Sequence, residues 1–176
     1  NADTGAGEMT PLVKAVIVED RAAVKKLLSE GADVNARSYV NRTALMFAST
    51  GEMADILIAA GADAGLVDTF NSSALWNMAN SGYIEPAKVI LARFHGKGLE
   101  VDSRGSYGDT PLMRAAMMGH TEMVKLLLSK GADINAANEY GSTALILTAA
   151  EGHADSLRFL LQNGAVDKSA IAFRRV

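Results

Sequence analysis

Apolar positions along the chain fall into short stripes of helical spacing, each closed by a glycine. Within 121–130, Val124, Leu127 and Leu128 recur at the intervals that put side chains on one face of an α-helix. Gly131 stops that helix and Gly31, Gly61 and Gly164 stop its counterparts, because a helix commonly ends on a residue in the left-handed conformation. Ahead of each such helix lies a shorter one, headed by Thr10, Thr43, Ser73, Thr110 or Thr143. The hydroxyl at that position can accept from the unpaired N–H groups of the first turn. Pro11 and Pro111 follow two of these heads at the first helical position, where the missing N–H has no partner to lose. The first helix is expected to end about eight residues on, at Gly51, Gly82, Gly119 and Gly152.

The helix pairs are copies of one unit. Gly-Ala-Asp-Val-Asn-Ala at 31–36 returns as Gly-Ala-Asp-Ile-Asn-Ala at 131–136, with Gly-Ala-Asp again at 61–63, and the Thr/Ser heads stand 33, 30, 37 and 33 residues apart. A period of 33 opening on Thr-Pro-Leu, passing through Gly119-His120 and closing on Leu126-Leu127-Leu128 and Gly-Ala-Asp resembles the ankyrin repeat. Met113 stands where that family usually carries His. The resemblance implies an all-α helical repeat solenoid with projecting β-turn loops. It also implies that a partner binds the projecting turns and the inner surface of the first helices.

A single helix pair cannot bury its own apolar stripe, so the units must stack. The expected boundaries are a tail at 1–9 and one domain at 10–176. The domain holds repeats at about 10–36, 37–66, 67–103, 104–136 and 137–165, with a C-terminal cap at 166–176. Lys26 stands where later units carry Ile56, Val89, Leu126 and Phe159, as expected of a unit with no neighbour on one side. Ile171 and Phe173 are expected to fold over the last apolar face. Two units are irregular. The second loses three residues between Ala48 and Met53, and the third gains four around Arg93 to Lys97. That gain is either an irregular loop or a protruding contact element carrying Phe94 and His95.

Between units lies a polar turn in which Asn41, Asn71, Gly108 and Gly141 are equivalent, and Asn and Gly are the residues that tolerate positive φ. The glycosylation signals at Asn41 and Asn71 are therefore read as turn chemistry. The side chains just before that position, Val40, Phe70, Tyr107 and Tyr140 with Tyr39 beside the first, form a column of large residues at the turn tips. Aromatics there supply contact area at low entropic cost. The alternative is that the column packs turn against turn. Ile17, Val18, Met117 and Met118 add apolar surface at the ends of first helices, with Arg42, Arg104, Arg114 and Asp109 expected around it as a polar rim. Met46 and Met113, with Val13, Trp76 and Ile146, are assigned to the core.

Composition narrows the chemistry. The 176 residues carry 17 Lys+Arg against 20 Asp+Glu, a net charge of −3 with signs interleaved, so the electrostatic term behind nucleic-acid affinity is missing. There is no Cys, which excludes disulfides and thiolate nucleophiles or ligands. No apolar run approaches the roughly 18 residues of a membrane span. His120 and His153 occupy the same place in adjacent units, about 10 Å apart by helix packing, too far to share a metal. Asp33, Asp63 and Asp133 are read as turn formers that bond nearby N–H groups, not as a calcium ladder. No catalytic constellation, cofactor or metal site is expected.

The sequence therefore predicts a non-catalytic module, monomeric when free, that binds a protein through its concave, turn-side face. The chain opens on Asn1, and an exported, periplasmic bacterial inhibitor or self-protection protein covering a secreted hydrolase is the favoured form. The alternative is an intracellular adaptor cut from a longer protein, and the distant one an enzyme using His95.

Overall fold

The computed structural model describes residues 8–94 and 101–166. His95, most of the expected insertion, residues 1–7 of the tail, and the cap residues Ile171 and Phe173 lie outside that range. Among the described residues there are nine α-helices. They are α1 (Pro11–Ile17), α2 (Arg21–Ser29), α3 (Gly51–Ala59), α4 (Ala74–Ser81), α5 (Ile84–Phe94), α6 (Pro111–Met117), α7 (Thr121–Ser129), α8 (Ala144–Glu151) and α9 (Ala154–Gln162). A single 3₁₀ turn, Ala44–Phe47, stands where the second unit should have its first helix.

Two layers result. First helices stack α4 on α6 on α8, with α1 meeting the 3₁₀ turn, and second helices stack α3, α5, α7 and α9. The leucine two residues after each Thr/Ser head (Leu12, Leu45, Leu75, Leu112, Leu145) is buried in every unit, as are Leu57, Ile90, Leu127 and Leu160 of the second helices. One continuous core runs through all five units. Val13, Met46, Trp76 and Met113 belong to the buried set, as expected, and Ile146 is half-buried. Lys26 is exposed on the first unit.

The caps follow the residue chemistry. The hydroxyls of Thr10, Ser73, Thr110 and Thr143 accept from the N–H three residues on, and Asp20 and Thr50 do the same for α2 and α3. Gly82, Gly119 and Gly152 end the first helices of their units at φ of 72–77°. Gly51 does not: it is the first residue of α3, and the expectation that it ends a helix is corrected. With three residues missing, the chain has no room for a second helical turn after Thr43, and Thr50 already caps the next helix. In the first unit Glu19 occupies the left-handed position that the third, fourth and fifth units give to glycine, at φ 57°.

α5 is eleven residues long where α2, α3, α7 and α9 have nine, so the third unit's surplus begins as added helix. Phe94, at its end, is partly buried against the core.

Candidate protein-interaction surface

The turns between units are tight hairpins. Ser38, Asp68, Gly105 and Asn138 each donate their N–H to the carbonyl four residues on, at 2.9–3.1 Å. Asn41, Asn71, Gly108 and Gly141 adopt the expected positive φ of 60–75°. Val40 and Tyr107 share it, at 51° and 62°, so two of the tips bend on consecutive left-handed residues.

These tips are tied to one another. The Val40 carbonyl accepts from the Thr69 N–H at 2.9 Å and from its hydroxyl at 2.6 Å. Ser106 Oγ donates to the Phe70 carbonyl at 3.3 Å, and the Glu139 N–H donates to the Tyr107 carbonyl at 3.2 Å. Arg37 and Arg104, at matching positions, reach from their own turn to the next: Nη1 of Arg37 meets Val67 O at 2.8 Å, and Nη1 of Arg104 meets Ala137 O at 2.8 Å. Asn71 Nδ2 donates to Arg104 O at 2.6 Å, so that amide is engaged in the fold.

On this scaffold Tyr39, Phe70, Tyr107 and Tyr140 are 59, 55, 62 and 73% exposed, while Val40 is half-buried. The Tyr107 and Tyr140 rings lie 6.1 Å apart, tilted by 41°. Both readings of the column therefore have a part: neighbouring tips touch, yet each ring keeps more than half its surface open. Ile17, Val18 and Met118 are exposed as well, whereas Met117 is half-buried beside Arg114.

The expected polar rim is different in kind. Asp109 is buried, and its carboxylate accepts from Asn138 Nδ2 at 2.8 Å and pairs with Arg114 at 3.5 Å. Arg114 lies over the Trp76 ring at 4.9 Å and donates to Asn80 Oδ1 at 2.7 Å. Arg42 pairs at 3.0 Å with Asp68, whose side chain is fully buried. The rim assignment of these three is corrected: they join units, because each reaches a partner on an adjacent unit, with Asp109 buried and Arg42 and Arg114 partly so. Sequence reasoning missed Trp76 as the organiser of this patch. Its Nε1 donates to Asp109 O at 3.1 Å, and a Cβ on Gly105 would come within 2.5 Å of that nitrogen, so the glycine two residues before Tyr107 makes room for the indole.

The remaining candidates have structural partners. Nε2 of His120 and of His153 faces the carbonyls of Asn80 and Met117 in the preceding unit, at 3.2 and 2.9 Å. Asp33, Asp63 and Asp133 accept from the N–H two residues on, at 2.8–2.9 Å. Asp102 differs from its counterparts Asn35 and Asn135. Its carboxyl is raised above the usual carboxylate range, first by desolvation on burial and then by the Asp133 charge, while the Asp133 N–H and Arg104 act the other way.

Residues 49–138 and 75–171 match the family described as ankyrin repeats (3 copies), and residues 7–39 match the ankyrin repeat. The chain is 36% identical over 121 residues to the bovine (Bos taurus) mitochondrial disaggregase, covering 66% of this chain and 18% of that protein. It is 35% identical over 106 residues to ankyrin repeat domain-containing protein SAT10 of Stachybotrys chartarum, covering 58% of this chain and 5% of that one. To human ankyrin repeat domain-containing protein 63 it is 38% identical over 125 residues, covering 67% of this chain and 33% of that one. The chain thus spans a third or less of the length of each of these relatives. With its stacked helix pairs and hairpin turns, it belongs to the ankyrin repeat family.

Proposed function

We propose that the chain binds a folded protein through its turn tips and the adjoining inner face of the first helices, without chemistry of its own. One observation carries this reading: four aromatic rings on successive turns are each more than half exposed while each turn is hydrogen-bonded to the next, through backbone or side chain. Large rings held on a stiff frame lose little freedom when covered, which is how aromatic anchors dominate interfaces. Ile17, Val18 and Met118 extend the contact along the inner face, and Met adapts to irregular partners. Arg42, Arg114 and Asp109 contribute by fixing the frame.

The effect of such binding is occlusion or scaffolding. In the first form the chain is an exported inhibitor or self-protection protein covering the working surface of a secreted hydrolase. In the second it is an adaptor segment of a longer polypeptide, which the small share of each relative's length covered here favours. The test is capture of partners from the native source with the wild-type chain and with Phe70→Ala/Tyr107→Ala/Tyr140→Ala, followed by binding measurements on the purified partner. Loss of binding with unchanged helix content supports the turn-side face, and retained binding moves the interface to the second helices. Loss of the partner's enzymatic activity on complex formation separates occlusion from scaffolding.

A further inference from the structure

The second unit is the shortened one of the two irregular units, and its shortened element packs between α1 of the first unit and α4 of the third. In place of a two-turn helix it offers α1 only the 3₁₀ turn Ala44–Phe47. Thr43, head of that turn, has a buried hydroxyl with no hydrogen bond among the described residues, unlike its counterparts in the other units. Val40, three residues before it, is β-branched yet sits at φ 51°, a conformation such residues rarely adopt.

Across this shortened element reaches Glu19. Its carboxylate accepts hydrogen bonds from Ser49 Oγ through Oε1 and from Thr50 Oγ1, at 3.0 Å, through Oε2. The arrangement depends on which residue stands just before the next unit's second helix. In the fourth and fifth units the residue just before the second helix is His120 or His153, and a Cβ at the preceding unit's glycine would lie 2.6–2.8 Å from that ring. In the second unit the residue there is Thr50, small enough to admit a side chain opposite, and Glu19 fills the space. Besides the apolar packing of α1 on the 3₁₀ turn, the other polar ties between units one and two are Asn35, which bonds Gly61 O and the Asp63 N–H, and an Arg21–Glu52 pair at 3.2 Å that is about half exposed. An exposed pair of that kind adds little.

We propose that the first unit, residues 10–36, opens from the array as a separate event, and that the Glu19 carboxylate is the latch that holds it shut. Opening would uncover Leu12, Val13 and Val16 and would withdraw Ile17 and Val18 from the inner face while units three to five stay closed. Partly independent opening is natural to a fold whose units touch only their neighbours.

Hydrogen exchange of the whole chain, followed by mass spectrometry, tests this. In the wild type, amides of α1 and α2 are expected to exchange at least about tenfold faster than those of α6 and α7. Glu19→Asn keeps a residue that tolerates positive φ but removes the carboxylate, and Ser49→Ala removes one donor. Both are expected to speed exchange in 10–36 severalfold and to leave 111–129 unchanged. Glu19→Gly separates latch from strain: it relieves the left-handed backbone and deletes the carboxylate together, so the latch predicts faster exchange and strain alone predicts slower. Uniform protection across the five units, variants that shift all segments together, or slower exchange in Glu19→Gly would each overturn the proposal.

Discussion

The imidazole of His153 lies over the backbone of Gly119 in the preceding unit, with its Nε2 2.9 Å from Met117 O and its Nδ1 2.6 Å from where a Cβ on Gly119 would stand. The glycine is therefore needed twice, for its φ of 73° and for the space beside it.

Gly119→Ala should accordingly lose more stability than Gly31→Ala. Gly31 has a φ of 88°, but a Cβ added there would meet no atom within 4 Å. The left-handed conformation alone costs about 1–2 kcal/mol, and that is the loss expected at Gly31. Gly119→Ala should exceed it by the displacement of the ring. Urea unfolding of the two variants measures the difference, and equal losses would remove the packing argument.

Asp102→Asn should stabilise the protein at neutral pH. The folded-state pKa of Asp102 is raised by burial, so the folded state holds its proton more tightly than the unfolded one. Stability tied to that proton is full below the unfolded carboxylate value and is lost as pH rises through the folded one. Asn, which occupies the matching positions 35 and 135, has no charge to desolvate. Asn35 Oδ1 accepts the Asp63 N–H just as Asp102 Oδ2 accepts that of Asp133. Thermal unfolding against pH should show the variant's advantage at pH 7 shrinking as the pH falls through the carboxylate range.

Arg42→Ala should lower stability rather than act only on partner binding. It leaves the fully buried Asp68 side chain without its cation, although the Phe70 and Ser72 N–H groups still donate to Oδ1. Breaking a buried pair from one side typically costs about 3–5 kcal/mol. Partial exposure of Arg42 and the surviving bonds reduce the expected loss to about 1–3 kcal/mol. A melting temperature equal to wild type would return Arg42 to the surface role.

Gly105→Ala should destabilise by about 1–3 kcal/mol through overpacking against the Trp76 indole. The same change in a Trp76→Leu background should cost less, because the obstacle is gone. A double-mutant cycle gives the coupling directly, and additive losses would mean that Gly105 is present for another reason.

Much of this architecture is legible in the chain. The 33-residue interval shows in the spacing of the heads, and the Thr/Ser heads and glycine stops follow from local chemistry that acts within three or four residues. What is not legible depends on neighbours one unit away. Arg42 and Arg114 look like solvated charges until Asp68, Asn80 and Trp76 are placed beside them across 26 to 38 residues of sequence. Gly51 has the composition of a helix stop, yet the deletion ahead of it turns it into a helix start. Glu19 defies the glycine rule because what matters is whether a His or a Thr faces it from the next unit. The residues Phe70, Tyr107 and Tyr140 align as a column in the sequence, but the carbonyl bonds that join their turns do not show there.

If the turn tips hold the partner as proposed, those carbonyl bonds would make the row of rings behave like the teeth of a comb. A tooth cannot bend toward a poorly matched target without dragging on the next, so selectivity would rest on the pitch of the target's hollows more than on any one of them. A residue inserted into a single turn should then disturb recognition at the adjacent turns as well, even with every aromatic side chain still in place.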